Sequence, residues 1–141
     1  MTSRFAVAAE VLGLLAWAEQ RGEAAVTSQA LARSVHTHPV VIRRIVADLQ
    51  RAGLVHSRRG TGGGTSLARP AEQITLRDVY EAVAIEEALL PCAPGGEQSA
   101  CPVGKRLHGW LATVIDQAEE ALLCRLAEQT VADMRDQGCG C

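Results

Sequence analysis

The stretch THPVVIRRIVADLQRAGLVHSRRGTGGGTSLARP, Thr37 to Pro70, constrains the fold more than any other part of the chain. Pro39 suits the first turn of a helix, where its missing N–H leaves nothing unpaired. From Pro39 to Ala52 the apolar residues Val41, Ile42, Ile45, Val46 and Leu49 recur at helical spacing, and Gly53 stops the run. Leu54–Arg58 and Thr65–Ala68 read as two short strands around a tip at Arg59–Gly64, with Pro70 closing the second. A helix with outward arginines, followed at once by a basic hairpin, is the layout of a winged helix-turn-helix. That layout lays a helix in the DNA major groove with a wing beside it.

The rest of the chain predicts more helix. Residues 3–20 form a first helix capped by Ser3 and apolar over more than one face, so it needs partners on several sides. Thr27 or Ser28 caps a short helix to about Ser34, and Val35–His38 turns into the Pro39 helix. Beyond the hairpin, Thr75–Asp78 is a capped helix start, with Val79, Val83 and Tyr80 toward the core and an end near Ile85–Glu87. Residues 91–104 are a Pro-, Gly- and Cys-rich loop, and a long helix spans 103–128. Its stripe of Leu107, Leu111, Val114, Ile115, Ala118, Leu122 and Leu126 fits either core packing or pairing with a second copy. Thr130 caps a last short helix to about Gln137, before a Gly-Cys-Gly-Cys tail. The expected architecture is mainly α with a small β-hairpin. Residues 1–70 would be a winged helix-turn-helix domain. Residues 71–141 would hold a connecting helix, the cysteine loop, a long C-terminal helix and the tail.

The net charge of −2 is poor for a nucleic-acid binder, but it is unevenly spread. Residues 1–69 hold nine Lys/Arg against four acids, and residues 70–141 hold five against twelve. A basic half and an acidic half face different partners. Aromatics make up 3% of the chain (Phe5, Trp17, Tyr80, Trp110), too few for a module that stacks unpaired bases. No apolar stretch approaches the ~20 residues needed to span a membrane, and the N-terminus lacks the pattern of a secretory signal. A cytoplasmic protein that does not engage a membrane is expected. The odd count of five cysteines then suits ligands or reactive thiols better than structural disulfides.

On the Pro39–Ala52 helix the face opposite the apolar anchors carries Pro39, Val40, Arg43, Arg44 and Ala47. Arginine grips guanine O6 and N7 with two hydrogen bonds, and valine meets a thymine methyl. Thr37, His38, Thr27, Ser28 and Gln29 would turn hydroxyl, amide or backbone N–H groups toward phosphates. The wing contributes Ser57, Arg58, Arg59, Gly60, Thr61 and Gly62, with glycines that let backbone approach a groove wall and arginines suited to phosphate or a narrow minor groove. Any one of these arginines alone would be a solvated surface residue; their shared place in a helix-turn-helix and hairpin points to DNA. A nucleotide-binding reading of the glycine run fails, since no Lys precedes Thr65 or Ser66 and no helix follows. No nucleophile–base–orienter set and no HExxH motif occurs, so no enzyme is expected.

The cysteines leave more open. Cys92 and Cys101 in the loop read as a thiol switch, part of a metal or cluster site, or ordinary loop residues. Cys124, inside the long helix, reads as a buried small hydrophobe. Cys139 and Cys141 suit metal binding, oxidation or a frayed end. His36, His38 and His56 fit capping or phosphate contact better than metal ligation.

SRFAVAAEVLGLLA, PVVIRRIVADLQRAGLV, RRGTGGGTSLARPAEQITLRDVYEAV and the loop ending CPVG together resemble the Rrf-type winged-helix transcriptional regulators, the family of IscR, NsrR and CymR. The resemblance runs to about residue 135. SRFAVA, THPVVIRR and CPVGK look nearest to its YwnA-like subgroup. It implies a homodimer paired through the long helix, with Leu107, Leu111, Ile115 and Leu122 at the interface, and two winged helices on a palindromic operator in double-stranded DNA. Iron–sulfur members carry three loop cysteines and a fourth ligand from elsewhere. Here only Cys92 and Cys101 stand in the loop, separated by eight residues, so the cluster's ligand set is incomplete. Glu10, His36, His38 and His108 are candidates for the rest. No cofactor is certain on this reading. The expected function is a sequence-specific DNA-binding transcriptional regulator, a repressor, responsive to redox state or a ligand through the cysteine loop. The alternatives are an iron–sulfur or metal-containing redox protein or sensor, and a module whose acidic half engages a protein partner.

Overall fold

α1 (Arg4–Gln20) is packed on almost every side, as a helix with so little polar surface must be. Val7, Ala8, Ala9, Val11, Leu12, Leu15, Ala16 and Ala18 are all buried. Ser3 caps the helix by accepting the Ala6 N–H at 3.3 Å. The computed structural model describes residues 3–84 and 95–138. Gly13 faces α6: a methyl group there would stand 3.3 Å from Met134.

α2 (Ser28–Ser34) and α3 (Pro39–Arg51) form the helix-turn-helix. Thr27 caps α2 by accepting the Ala30 N–H at 3.2 Å. Pro39 opens α3, and Ile42, Ile45, Val46 and Leu49 are buried as their spacing predicts. β1 (Val55–Arg58) and β2 (Gly64–Leu67) make an antiparallel hairpin, with Val55 opposite Leu67 and Arg58 opposite Gly64. The hairpin is also tied to the strand-like residue before α2. Val26 and Thr65 exchange backbone hydrogen bonds of 2.9 and 2.8 Å.

A 3-10 turn at Ala71–Gln73 leads into α4 (Leu76–Val83). Val79 and Val83 are buried, and the half-buried Tyr80 meets Phe5 edge-on at 5.8 Å between ring centres. The expected helix end at Ile85–Glu87 lies outside the described residues. After a second 3-10 turn at Gly96–Gln98 comes α5 (Pro102–Ala127), 26 residues long and without one buried residue. α5 rests on α4 and on that turn.

α6 (Val131–Gln137) returns the chain to α1 through a two-residue clasp. Leu76 N–H donates to Gln129 O at 2.9 Å, and Val131 N–H donates to Ile74 O at 2.8 Å. Both sides of the clasp are capping boxes. Thr75 and Asp78 satisfy each other's backbone N–H groups at 3.1 and 3.0 Å, and Thr130 and Asp133 do so at 3.2 and 2.9 Å. Arg135 adds a bond to Glu72 at 3.2 Å. Its guanidinium is held further toward the charged form, first by Asp136 and then, against desolvation, by Glu72. Val79, Ala82, Val83, Val131 and Ala132 share one buried cluster with α1 to α3.

One expectation is overturned. Cys124 is exposed, with its thiol 3.7 Å from Glu120 Oε1. It lies about half a turn round the helix from the half-buried Leu122.

If the clasp holds α6 in place, Thr130→Ala and Thr75→Ala should each lower stability by about 1 kcal/mol, the usual worth of such a cap. Thermal unfolding should show each as a fall in Tm of about 3 °C. Unchanged melting in both variants would mean the clasp carries no stability.

Candidate nucleic-acid interface

His38 sets the start of α3. Its Nδ1 accepts the Val40 N–H at 3.1 Å, so the neutral ring carries its proton on Nε2, free to donate outward. Just before it, His36 takes a left-handed backbone at φ 58°, turning the chain between the two helices. The Thr37 N–H closes that turn onto Ala32 O at 2.9 Å. Beyond the cap, Val40, Arg43, Arg44 and Ala47 are exposed on the side of α3 away from its buried anchors.

The wing holds its shape through two glycines. A Cβ on Gly63 would come within 2.6 Å of Arg58 O and 2.7 Å of Gly60 O. A Cβ on Gly64 would lie 2.8 Å from Val26 O, on a backbone at φ 146° that side chains avoid. Only glycine lets the hairpin turn this tightly and dock on Val26. The hinge between wing and helix-turn-helix is therefore fastened, and Ser57, Arg58, Arg59, Gly60, Thr61 and Gly62 project from it, all exposed.

The start of α2, the outer side of α3 and the wing frame one cleft of about 790 Å³. Eight of the residues expected from sequence line it: Thr27, Ser28, Gln29, Arg43, Ser57, Arg58, Arg59 and Gly60. Thr37, His38, Pro39, Val40, Arg44, Thr61 and Gly62 do not line the cleft. Gln50 and Thr65 also line it and were missed. Gln50 stands seven residues after Arg43, two helical turns along the same face, a spacing that could have found it. Thr65 owes its place to the pairing with Val26, which no local pattern reveals. Among the described residues none of Arg43, Arg44, Arg58 and Arg59 is in an ion pair. Three such cations lining one concave surface, with Arg44 beside it on α3, suit a polyanion.

The cysteine loop is only partly described. Cys92, Cys139 and Cys141 lie outside the described residues. Cys101 is exposed at the N-cap of α5, with its N–H on Ser99 Oγ at 3.3 Å. The other ligand candidates are dispersed: Glu10 on α1, His36 and His38 around the α2–α3 turn, and His108 on α5 against Gly96. Among the described residues no three His, Cys, Asp or Glu side chains converge on a metal-sized site.

The leucine stripe of α5 divides in two. Ile115 and Leu122 are half-buried, while Leu107 and Leu111 face outward with Val103, Trp110 and Val114. Trp110 is 68% exposed and Leu107 65%. Among the described residues no helix is long and apolar enough to cross a membrane.

Comparison with known proteins agrees with this geometry. Residues 1–137 match the Rrf2 family model, described as "Iron-dependent Transcriptional regulator". YwnA of Bacillus subtilis (strain 168), named as an HTH-type transcriptional regulator, is 33% identical over 134 residues, spanning 95% of this chain and 96% of YwnA. The HTH-type transcriptional regulator IscR of Cereibacter sphaeroides is 35% identical over 92 residues, 65% of this chain and 58% of IscR. The crystal structure of the oxidized form of Staphylococcus aureus CymR has the same fold, with a TM-score of 0.66 at 22% identity over 95% of this chain and 94% of that one. A family model spanning nearly the whole chain and a relative matched end to end agree: this chain belongs to the Rrf2 family of transcriptional regulators.

Proposed function

We propose that the chain is a homodimeric, sequence-specific DNA-binding transcriptional regulator that represses by occupying a palindromic operator. The observation that carries this is the cleft framed by α2, α3 and the wing, with Arg43, Arg58 and Arg59 lining it and Arg44 beside it, all without ion-pair partners among the described residues. α3 enters the major groove, where Arg43 and Arg44 read guanine edges and Val40 meets a thymine methyl. His38 Nε2, Thr27, Ser28, Gln29 and Thr37 seat phosphates and fix the register. Arg58 and Arg59 bring the wing to the neighbouring backbone or minor groove. Residues 1–70 do this work, and residues 71–141 pair the copies and carry the cysteine loop.

The dimer reading rests on α5. Five large apolar side chains exposed along one helix make a patch that soluble monomers seldom leave open. A second copy laid on Val103, Leu107, Trp110, Leu111 and Val114 covers it, and two-fold pairing presents two winged helices to one palindrome. The operator is released when the loop at Cys101 and Cys92 changes redox or ligand state. The reading needs no catalytic step, and it puts the protein in the cytoplasm with its DNA. The family's description as iron-dependent favours a second form of the signal, an iron–sulfur or metal centre. Iron and sulfide counts on anaerobically purified protein separate that form from a plain thiol switch.

Two measurements test the reading. In binding assays with duplex DNA from the protein's own promoter region, Arg43→Ala should cost about 1–3 kcal/mol and relax preference at one base pair. Arg59→Ala should weaken all sequences alike and flatten the salt dependence by about one unit of slope. If neither substitution changes affinity, these contacts are misassigned. The paired variant Leu107→Asp with Trp110→Asp should sediment as a folded monomer and lose operator affinity by 10²-fold or more, as expected on losing bivalent binding. A dimer that survives both charges would place the pairing surface elsewhere.

A further inference from the structure

Arg4 is the first residue of α1, where a cation faces the positive end of the helix dipole. The dipole disfavours a cation there, and the side chain instead finds a carboxylate on α3. Arg4 Nη2 donates to Asp48 Oδ2, and Arg51 Nη2 donates to Asp48 Oδ1. One carboxylate thus joins two guanidinium groups, one from α1 and one from the last turn of α3. Asp48 is 12% exposed, whereas Arg4 and Arg51 are 50% and 71% exposed. The acid sits beneath the two cations.

Arg44, Asp48 and Arg51 follow one another at i, i+4 and i+7, which places them on one stripe of α3. None of the three lines the cleft that Arg43 shares with the wing, and neither does Arg4. The cluster therefore flanks α3 on a side distinct from the wing cleft, beside Arg44. It carries two positive charges against one negative. A guanidinium has five N–H donors, and a single hydrogen bond to Asp48 leaves the others free for a phosphate.

We propose that Arg4 and Arg51, held in place by Asp48, form a second phosphate-binding pad on the flank of α3 away from the wing cleft. DNA is then gripped on both sides of the recognition helix, by the wing and by the start of α1. The pad rests on the DNA-binding reading above. Asp48 is its positioning residue: it fixes two long, freely rotating side chains before DNA arrives, so less order remains to be imposed on binding.

The sign of one effect separates this from simple electrostatics. An acid beside DNA repels phosphate, so removing it should tighten binding if charge alone matters. If Asp48 holds the pad, its loss weakens binding even though the protein becomes more positive. The experiment uses the full chain and fluorescence anisotropy across a KCl series. One duplex comes from its own promoter region and a second has the same composition in scrambled order. Arg4→Gln and Arg51→Gln should each reduce the slope of log K against log salt by about 0.9 and weaken both duplexes equally. Asp48→Ala should keep its circular dichroism and Tm and bind several-fold more weakly, and Asp48→Glu should recover most of the loss.

Unchanged slopes in both arginine variants, or tighter binding by Asp48→Ala, overturn the pad. Should Asp48→Ala fail to fold, the two arginine slopes decide alone. Wild-type protein that binds with the expected salt dependence while Arg4→Gln and Arg51→Gln match it sinks the pad and leaves the regulator standing. Folded wild-type protein that binds neither duplex sinks both.

Discussion

α3, α4, β2 and α6 all take their positions from the burial of α1. Leu12, Val11, Leu15 and Ala8 are closed off from water by α3, α4, β2 and α6 together. Each fully buried aliphatic side chain of leucine size contributes about 1.5–3 kcal/mol, so a helix with this many such residues can neither be moved nor partly uncovered cheaply. The recognition helix and the returning C-terminal helix are thereby fixed against one rod. Gly13 brings α6 into contact with it through Met134, and Arg4 at its first turn reaches Asp48 on α3. A change that shifts α1 is felt at both ends of the molecule.

α5 obeys the opposite rule. A 26-residue helix without a single buried residue gains little from its own chain. Intrinsic propensity alone leaves isolated helices marginal in water. Ile115, Leu122 and Leu126 give it a half-buried seat, yet its largest apolar groups, Leu107 and Trp110, point the other way. On the proposed reading a second copy supplies the missing half of this core. Part of the protein's stability is then set by concentration, as for any dimer whose pairing surface is also core.

The legible parts of the fold were those written in local pattern. Ser3, Thr27, Thr75 and Thr130 each cap a helix where their spacing predicts. The α3 anchors and the hairpin follow from periods of 3.6 and 2. What escaped the sequence lies between residues distant along the chain. The Val26–Thr65 pairing, the Thr75–Thr130 clasp and the Arg4–Asp48 bond each join segments whose own patterns are complete without them. Cys124 went astray for a related reason. Helical spacing tells which residues share a face, but whether that face is covered depends on the rest of the fold. In the candidate site the same divide holds: Arg43, Arg58 and Arg59 stood out by charge and place, whereas Thr65 entered the cleft through a backbone contact.

Two described contacts tie the C-terminal half of the chain to the helix-turn-helix and α1. α4 packs against α1, α3 and α5. The second contact is the clasp at Thr75 and Thr130, which joins the start of α4 to the start of α6. Both converge on α4. Tyr80 against Phe5 anchors it to α1, and Val79 and Val83 are buried in the same cluster as Ile45 and Leu49 of α3. A close-packed cluster responds to a displaced helix by shifting to another packing rather than by stretching. On the proposed reading, a displacement of α5 is passed to α3 through α4, which packs against α1, α3 and α5.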